Sequence, residues 1–163
     1  MTSLELRYFT PAEFERRGRN WYEDMSVALM EGVDVLRHYH GHPIHISPHG
    51  GALGRPGSGS RDHDPQENGG EVRGMDVFPD GLHTAEDVQA FVKLAEEVGL
   101  TAIGVYPHWV SGSGKVRPGL HLGWRPDRAD NPARWGMIRY EPQGPQRMVG
   151  MDQAVSLVGT EHA

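Results

Sequence analysis

Residues 60–79, SRDHDPQENGGEVRGMDVFP, place a histidine and an aspartate in settings that favour a metal site. Asp76 stands inside the apolar run MDVF, where a carboxylate buried without a partner costs several kcal/mol. His63 lies on the polar, glycine-rich loop before it, and a metal ion bound by both residues would satisfy the carboxylate. A simpler interpretation stays open, in which Asp76 pairs with Arg73 or caps a neighbouring loop and His63 is an exposed loop residue.

A second histidine with a notable setting lies in the segment GLHLGWR, residues 119–125. This segment alternates in the way that is typical of a strand with one buried face. Leu120, Leu122 and Trp124 fall on one face, and His121 falls on the other. His121 is therefore predicted to point away from the apolar core.

Composition excludes several classes of protein. The 163 residues carry a net charge of −6 and their basic residues are scattered, so we expect no nucleic-acid partner. No apolar run approaches the ~20 residues of a membrane span, and the start MTSLELRYFT lacks the pattern of a signal peptide. Cysteine is absent, so a metal must be bound by histidine, aspartate or glutamate. The length predicts a single domain over residues 1–163.

Helices are predicted from capping signals and from apolar residues at spacings of three and four. A short helix is expected to begin at Thr10, which is followed by proline and, three residues on, by glutamate. The first long helix is predicted over residues 23–40 and ends at Gly41. The second runs from the N-cap Thr84 to Gly99.

Strands are predicted where short apolar or alternating segments are bounded by turn residues. Those with the clearest pattern are residues 44–47, 73–78, 100–106 and 119–125. The pattern is weaker after Pro126. Residues 137–140 favour a strand, and residues 148–158 fit either a helix or a strand.

Residues 48–70 are predicted to form a long loop, because they are rich in glycine and proline and contain little apolar material. Loops of this length in a compact domain are usually functional or disordered, and this one carries Arg55 and His63. A histidine cluster lies before this loop and overlaps its start. The cluster fits either a group of solvated side chains or a metal store or sensor. Its members are His38, His40, His42, His45 and His49.

The order of these features resembles the M15 metallopeptidases, the zinc D-Ala-D-Ala carboxypeptidases and L-Ala-D-Glu endopeptidases that cut peptidoglycan stem peptides and include phage lysins. The resemblance is carried by FTPAEF, VDVLRHYHGHPIHIS, SPHGGALGR, RGMDV, AEDVQAFVKLAEEVGLTAIGVY and GLHLGWR. It implies an α+β fold of the hedgehog and D-Ala-D-Ala-peptidase type, with a small, mostly antiparallel sheet flanked by helices.

Carried over to this chain, the resemblance implies that His63, Asp76 and His121 bind zinc. It also implies that Arg55 holds a carboxylate or carbonyl group of a peptidoglycan stem peptide. The location of the protein stays open: synthesis in the cytoplasm could be followed by release to the cell wall or by incorporation into a virion. Three N/O ligands suit a catalytic zinc, because the fourth position stays open for water.

The chain departs from the family pattern at two functionally important points. His63 and Asp76 are thirteen positions apart rather than seven, so an insertion must be looped out for both to reach one ion. Related sequences commonly place an acidic or histidine base near the last ligand, whereas no acid occurs here between Glu97 and Asp127, and Gly123 stands where an aspartate is frequent.

Two functional hypotheses follow from these departures. In the first, the protein is an active zinc peptidase, and His108 from the segment YPHW replaces the missing base. In the second, the protein is a virion or cell-wall-binding module that keeps the fold, with or without the metal, and has lost catalysis.

Overall fold

A six-stranded mixed sheet carries the side chains of interest, and three α-helices share its apolar core. The computed structural model describes residues 5–111, 113–141 and 144–160. The helices are α1 (Val27–His40), α2 (Ala85–Glu97) and α3 (Met151–Ser156). Within these residues, no helix is both long and apolar enough to cross a membrane.

The strands form two sheets. Their bounds are β1 (Glu15–Arg16), β2 (Arg19–Asn20), β3 (Ile44–Ile46), β4 (Gly74–Pro79), β5 (Ala102–Val110), β6 (Val116–Gly123), β7 (Ala133–Ile138) and β8 (Arg147–Val149). The large sheet has the order β3-β4-β6-β5-β7-β8, and β1 pairs with β2 in a small separate sheet. All neighbours in the large sheet are antiparallel except β5 and β7. The predicted single α+β domain with a mostly antiparallel sheet is confirmed.

The two long helices begin and end through local interactions that the sequence indicates. In α1, the Ser26 hydroxyl accepts a hydrogen bond from the Leu29 N–H at 3.2 Å, and Gly41 ends the helix at a φ of 78°. The predicted start at residue 23 was therefore early, because Tyr22–Asp24 form a separate 3-10 turn. In α2, Thr84 and Asp87 form a reciprocal capping box.

Several other bounds differ from the prediction. The segment predicted to be a short helix after Thr10 is a 3-10 helix, Pro11–Phe14. The hairpin of β5 and β6 is longer than predicted, since β5 reaches Val110 and β6 starts at Val116, on either side of the segment SGSGK. Residues 148–158, for which helix and strand were both open, contain the end of β8 and then α3.

The two faces of the large sheet are chemically different, because successive side chains of a strand point to opposite faces. One face packs into the core, with apolar residues from β4, β5 and β6. These are Met75, Val77, Ile103, Val105, Leu120 and Leu122, all fully buried. The opposite face carries Asp76 and His121, as the alternation predicted for His121.

Residues 48–72 cover this polar face without any strand or α-helix. The sequence indicated no apolar anchor in the loop, but Ala52 and Leu53 are both fully buried. In addition, the Asp76 N–H donates a hydrogen bond to the Ala52 carbonyl at 3.0 Å. The loop is therefore attached to β4 by both packing and backbone hydrogen bonding.

Truncation of this anchor should destabilise the protein. We expect Leu53→Ala to lower the free energy of unfolding by about 2–5 kcal/mol, since it removes a fully buried side chain and leaves a cavity. Urea unfolding measures the effect, and Val116→Ala is the control because Val116 is 52% exposed. Equal losses in the two variants would contradict the anchoring role of Leu53.

Candidate metal centre

A row of paired residues crosses four strands on the polar face of the sheet. Asp76 of β4 pairs with His121 of β6, His121 pairs with Gly104 of β5, and Gly104 pairs with Trp135 of β7. The Trp135 ring lies 5.1 Å from the His121 ring, between their centroids. Because Gly104 has no side chain, the indole can lie directly on β5, where a Cβ would come within 2.5 Å of its Nε1. His121 is therefore buried, although it lies outside the apolar core.

His63 reaches the same place from the loop, and its orientation is fixed by a backbone carbonyl. Its Nδ1 lies 2.6 Å from the Leu53 carbonyl oxygen, and its own carbonyl accepts a hydrogen bond from the Arg55 N–H at 2.8 Å. A carbonyl oxygen can only accept, so Nδ1 carries the proton of the neutral ring. The Nε2 lone pair of His63 is then left to face the sheet.

His63, Asp76 and His121 bring three possible ligand atoms together. His63 Nε2 is 3.2 Å from His121 Nδ1 and 3.4 Å from Asp76 Oδ1. The third distance, between His121 Nδ1 and Asp76 Oδ1, is 3.3 Å. Within the described residues, this is the one group of three or more such side chains whose ligand atoms could all reach a single ion. The insertion between His63 and Asp76 is looped out as expected, with a 3-10 helix at Pro65–Glu67.

The far nitrogen of His121 is held by a second carboxylate. His121 Nε2 donates to Asp62 Oδ2 at 2.7 Å, and Arg125 donates to both oxygens of Asp62 at 2.8 and 2.9 Å. A carboxylate that accepts from the outer nitrogen of a metal-binding histidine fixes the tautomer and makes the ring a better ligand. Asp62 is only 3% exposed, so this pairing is almost fully shielded from water.

Charges in the site keep the two carboxylates ionised, as metal binding requires. Burial alone would raise the pKa of Asp62, but hydrogen bonds from His121 and Arg125 hold it well below its usual value. Burial likewise would raise the pKa of Asp76, and the adjacent imidazole rings of His121 and His63 lower it instead. Burial alone would lower the pKa of His121, whereas Asp62 and Asp76 raise it, so a metal ion must compete with a proton for its Nδ1. Both carboxylates are therefore charged at neutral pH.

Two glycines make room for the Asp62 carboxylate. A Cβ at Gly74 would lie 2.6 Å from the Asp62 Cβ, and a Cβ at Gly123 would lie 3.1 Å from Asp62 Oδ2. Gly123 is the position where the family pattern frequently has an aspartate. In this chain the space beside it is filled by the carboxylate of Asp62, which the sequence did not predict as part of the site.

A groove of about 420 Å³ opens beside Asp76. Its wall includes Arg55, Arg139, His49 and Tyr106. The Arg139 guanidinium donates to the Gly144 carbonyl at 2.7 Å. Among the described residues, none forms a hydrogen bond or an ion pair with the Arg55 guanidinium, which is thus free to bind an anion. The predicted substrate-binding arginine therefore lies in the same groove as one of the predicted metal ligands.

His108 lies outside the groove beside Asp76. It lines a separate groove of about 500 Å³ together with Lys115 and Arg117, and its Nε2 is 2.8 Å from the Thr160 carbonyl oxygen. The two grooves share no residue. The role of His108 as a proton shuttle stays a prediction, and its placement gives that role no support.

The histidine cluster of residues 38–49 is divided among different contacts. His38 contacts the Tyr8 hydroxyl, and His45 contacts the Asp80 carboxylate at 3.0 Å. His40 lies 2.7 Å from the Asp80 carbonyl oxygen. The described part of the cluster offers no set of three ligand atoms around one point.

Comparison with known proteins adds no further assignment. No protein-family model matches the chain, and neither a curated protein nor a solved structure is significantly similar to it.

Each of the three ligands should be needed for metal binding. We expect His63→Ala, Asp76→Ala and His121→Ala each to lower the metal content of the purified protein from about one ion per chain towards zero, because two ligands bind a divalent ion weakly. Elemental analysis by mass spectrometry measures the content. His45→Ala is the control, since His45 is exposed and contacts Asp80 instead. Unchanged stoichiometry in all three variants would exclude the site.

The Asp62 carboxylate should affect metal affinity without contacting the ion. Asp62→Asn keeps the size of the side chain but removes the charge that accepts from His121 and Arg125, so we expect affinity to fall about 10–100-fold. Competition with a chromogenic chelator measures the affinity. Asp127→Asn serves as the matched control, because Asp127 is 61% exposed and pairs with Arg61 at the surface. Equal affinity in the two variants would leave Asp62 with a structural role only.

Proposed function

We propose that the protein is a zinc-dependent peptidase of the M15 type, with the hedgehog and D-Ala-D-Ala-peptidase fold, that cleaves peptidoglycan stem peptides. One observation carries this proposal. His63 Nε2, His121 Nδ1 and Asp76 Oδ1 face one another at 3.2–3.4 Å, while hydrogen bonds place the protons of both neutral rings on the outer nitrogens. Three lone pairs so arranged repel one another unless a cation lies between them.

The distances favour zinc among the common divalent ions. Ligand atoms bound at ~2.0–2.1 Å in a tetrahedral arrangement lie about 3.3–3.4 Å apart, which fits the three distances of the site. Two imidazole nitrogens and one carboxylate oxygen are ligands that zinc accepts readily. Magnesium and calcium, by contrast, prefer oxygen ligands.

A bound zinc ion lowers the pKa of water towards ~7 and polarises the scissile carbonyl group. The protein residues would then orient the substrate. The free guanidinium of Arg55 is suited to bind a carboxylate of the peptide, because an arginine can donate two parallel hydrogen bonds to it. Stem peptides carry free carboxylates, and Arg139 adds a second positive charge to the same groove.

A second function is favoured by the lack of an evident proton acceptor in the groove. Apart from Asp76, no carboxylate lines it among the described residues. The imidazole of His49 does line it, but His49 Nδ1 accepts a hydrogen bond from the Gly51 N–H at 3.1 Å. The neutral ring therefore carries its proton on Nε2 and presents a donor. In the second function, the protein is a cell-wall-binding or virion module in which the metal serves stability.

Digestion of purified peptidoglycan fragments by zinc-loaded protein separates the two functions. If the protein is a peptidase, mass spectrometry should detect shortened stem peptides, and chelation should abolish their formation. Intact fragments that bind to the zinc-loaded protein without cleavage would contradict the peptidase and support the binding module.

Arg55→Ala should lower kcat/KM about 10–100-fold, as expected for loss of a charge-assisted hydrogen bond. Arg61→Ala is the matched control, because Arg61 is 54% exposed and lies outside the groove. Zinc content should be unchanged in both variants. An Arg55 variant that is as active as the Arg61 variant would remove Arg55 from substrate binding.

A further inference from the structure

Tyr106 is a half-buried side chain in the groove beside the metal centre, and the sequence did not single it out. It lies two residues after Gly104 on β5, so its side chain projects from the face that also carries His121. It lines the same groove as Asp76 and Arg55. The phenol thus shares this groove with a predicted metal ligand and with the free guanidinium.

The Tyr106 ring is held in place by a stack of aromatic side chains. The ring of Trp109 lies parallel to it, with centroids 4.0 Å apart and an interplanar angle of 12°. Trp109 in turn lies over Gly119, where a Cβ would come within 2.3 Å of its ring, and contacts Phe78 with 5.5 Å between centroids. A side chain packed in this way keeps one orientation, which a donor to a transition state requires.

The Tyr106 hydroxyl is a hydrogen-bond donor at neutral pH. Burial raises the pKa of Tyr106 above its usual value, so the phenol keeps its proton and can donate it in a hydrogen bond to an oxygen atom in the groove.

We propose that Tyr106 is a catalytic residue whose hydroxyl donates a hydrogen bond to the carbonyl oxygen of the scissile peptide bond as that oxygen gains negative charge. The inference rests on the proposed peptidase function and assigns a second electrophilic group to the same site. When water adds to the carbonyl carbon, the π electron pair moves onto oxygen. The Tyr106 O–H bond stays intact, because the phenol stabilises this charge without giving up its proton.

The test compares Tyr106→Phe, which removes only the hydroxyl, with Tyr140→Phe as the matched control. Tyr140 is 65% exposed and does not line the groove. Loss of one donor to a developing oxyanion costs about 10²–10³-fold in kcat, so we expect a loss of this size in Tyr106→Phe with little change in KM. Zinc content and melting temperature should equal those of the wild type.

A second readout does not depend on turnover. Acetohydroxamate, a small zinc-chelating probe with a carbonyl oxygen, can be titrated into zinc-loaded protein by calorimetry. We expect it to bind about tenfold more weakly to Tyr106→Phe than to the wild type or to Tyr140→Phe, because its oxygen loses one hydrogen bond.

The outcomes separate the inference from the function on which it rests. If the wild type cleaves stem peptides and Tyr106→Phe is equally fast, the role of Tyr106 is overturned and the peptidase stands. If the wild type cleaves nothing, the proposed function fails and the catalytic role fails with it. Binding of acetohydroxamate then decides whether Tyr106 donates a hydrogen bond to an oxygen in the groove. Equal affinity of the wild type, Tyr106→Phe and Tyr140→Phe for this probe would overturn the donor role as well.

Discussion

The candidate site depends on where two histidine protons are held. The Leu53 carbonyl holds one on the outer nitrogen of His63, and the Asp62 carboxylate holds the other on the outer nitrogen of His121. These two acceptors leave the inner nitrogens with free lone pairs beside the Asp76 carboxylate. The cluster therefore requires a positive charge, which is a metal ion or, without one, an added proton. Both acceptors are buried, so water does not compete for the protons.

The polar face of the sheet can hold this cluster because glycines on that face leave room for the large side chains. Gly104 separates His121 from Trp135 in the row across the strands, and Gly74 and Gly123 leave space for Asp62. The bulky groups of this face thus fit against one another without displacing the strands. The other face keeps the continuous apolar packing that stabilises the domain. Alternate residues of the strands thus serve stability on one face of the sheet and site chemistry on the other.

Part of this arrangement could be predicted from the sequence. Two strands were predicted, one from the alternation around His121 and one from the apolar residues around Asp76. These patterns can be recognised because each involves only neighbouring residues of the sequence. His63, thirteen residues before Asp76, was singled out from its place on a polar, glycine-rich loop, and the family resemblance then joined it with His121 in one site. Asp62 and Arg125 were not assigned, since their pairing joins residues 63 positions apart and leaves no periodic signal. Tyr106 was missed for the same reason, because its importance depends on the groove that it shares with Asp76 of a different strand.

Asp62 and His63 are adjacent in the chain, yet they act on different parts of the site. Asp62 supports the ring of His121, and His63 offers a ligand atom of its own. A single displacement of this short segment from the sheet would remove one ligand and release the ring of another in the same movement. The rate of metal exchange would then be limited by the opening of the loop. This rate would depend on how strongly the buried residues Ala52 and Leu53 attach the loop to the sheet. The ion and the loop would leave the sheet as one cooperative unit.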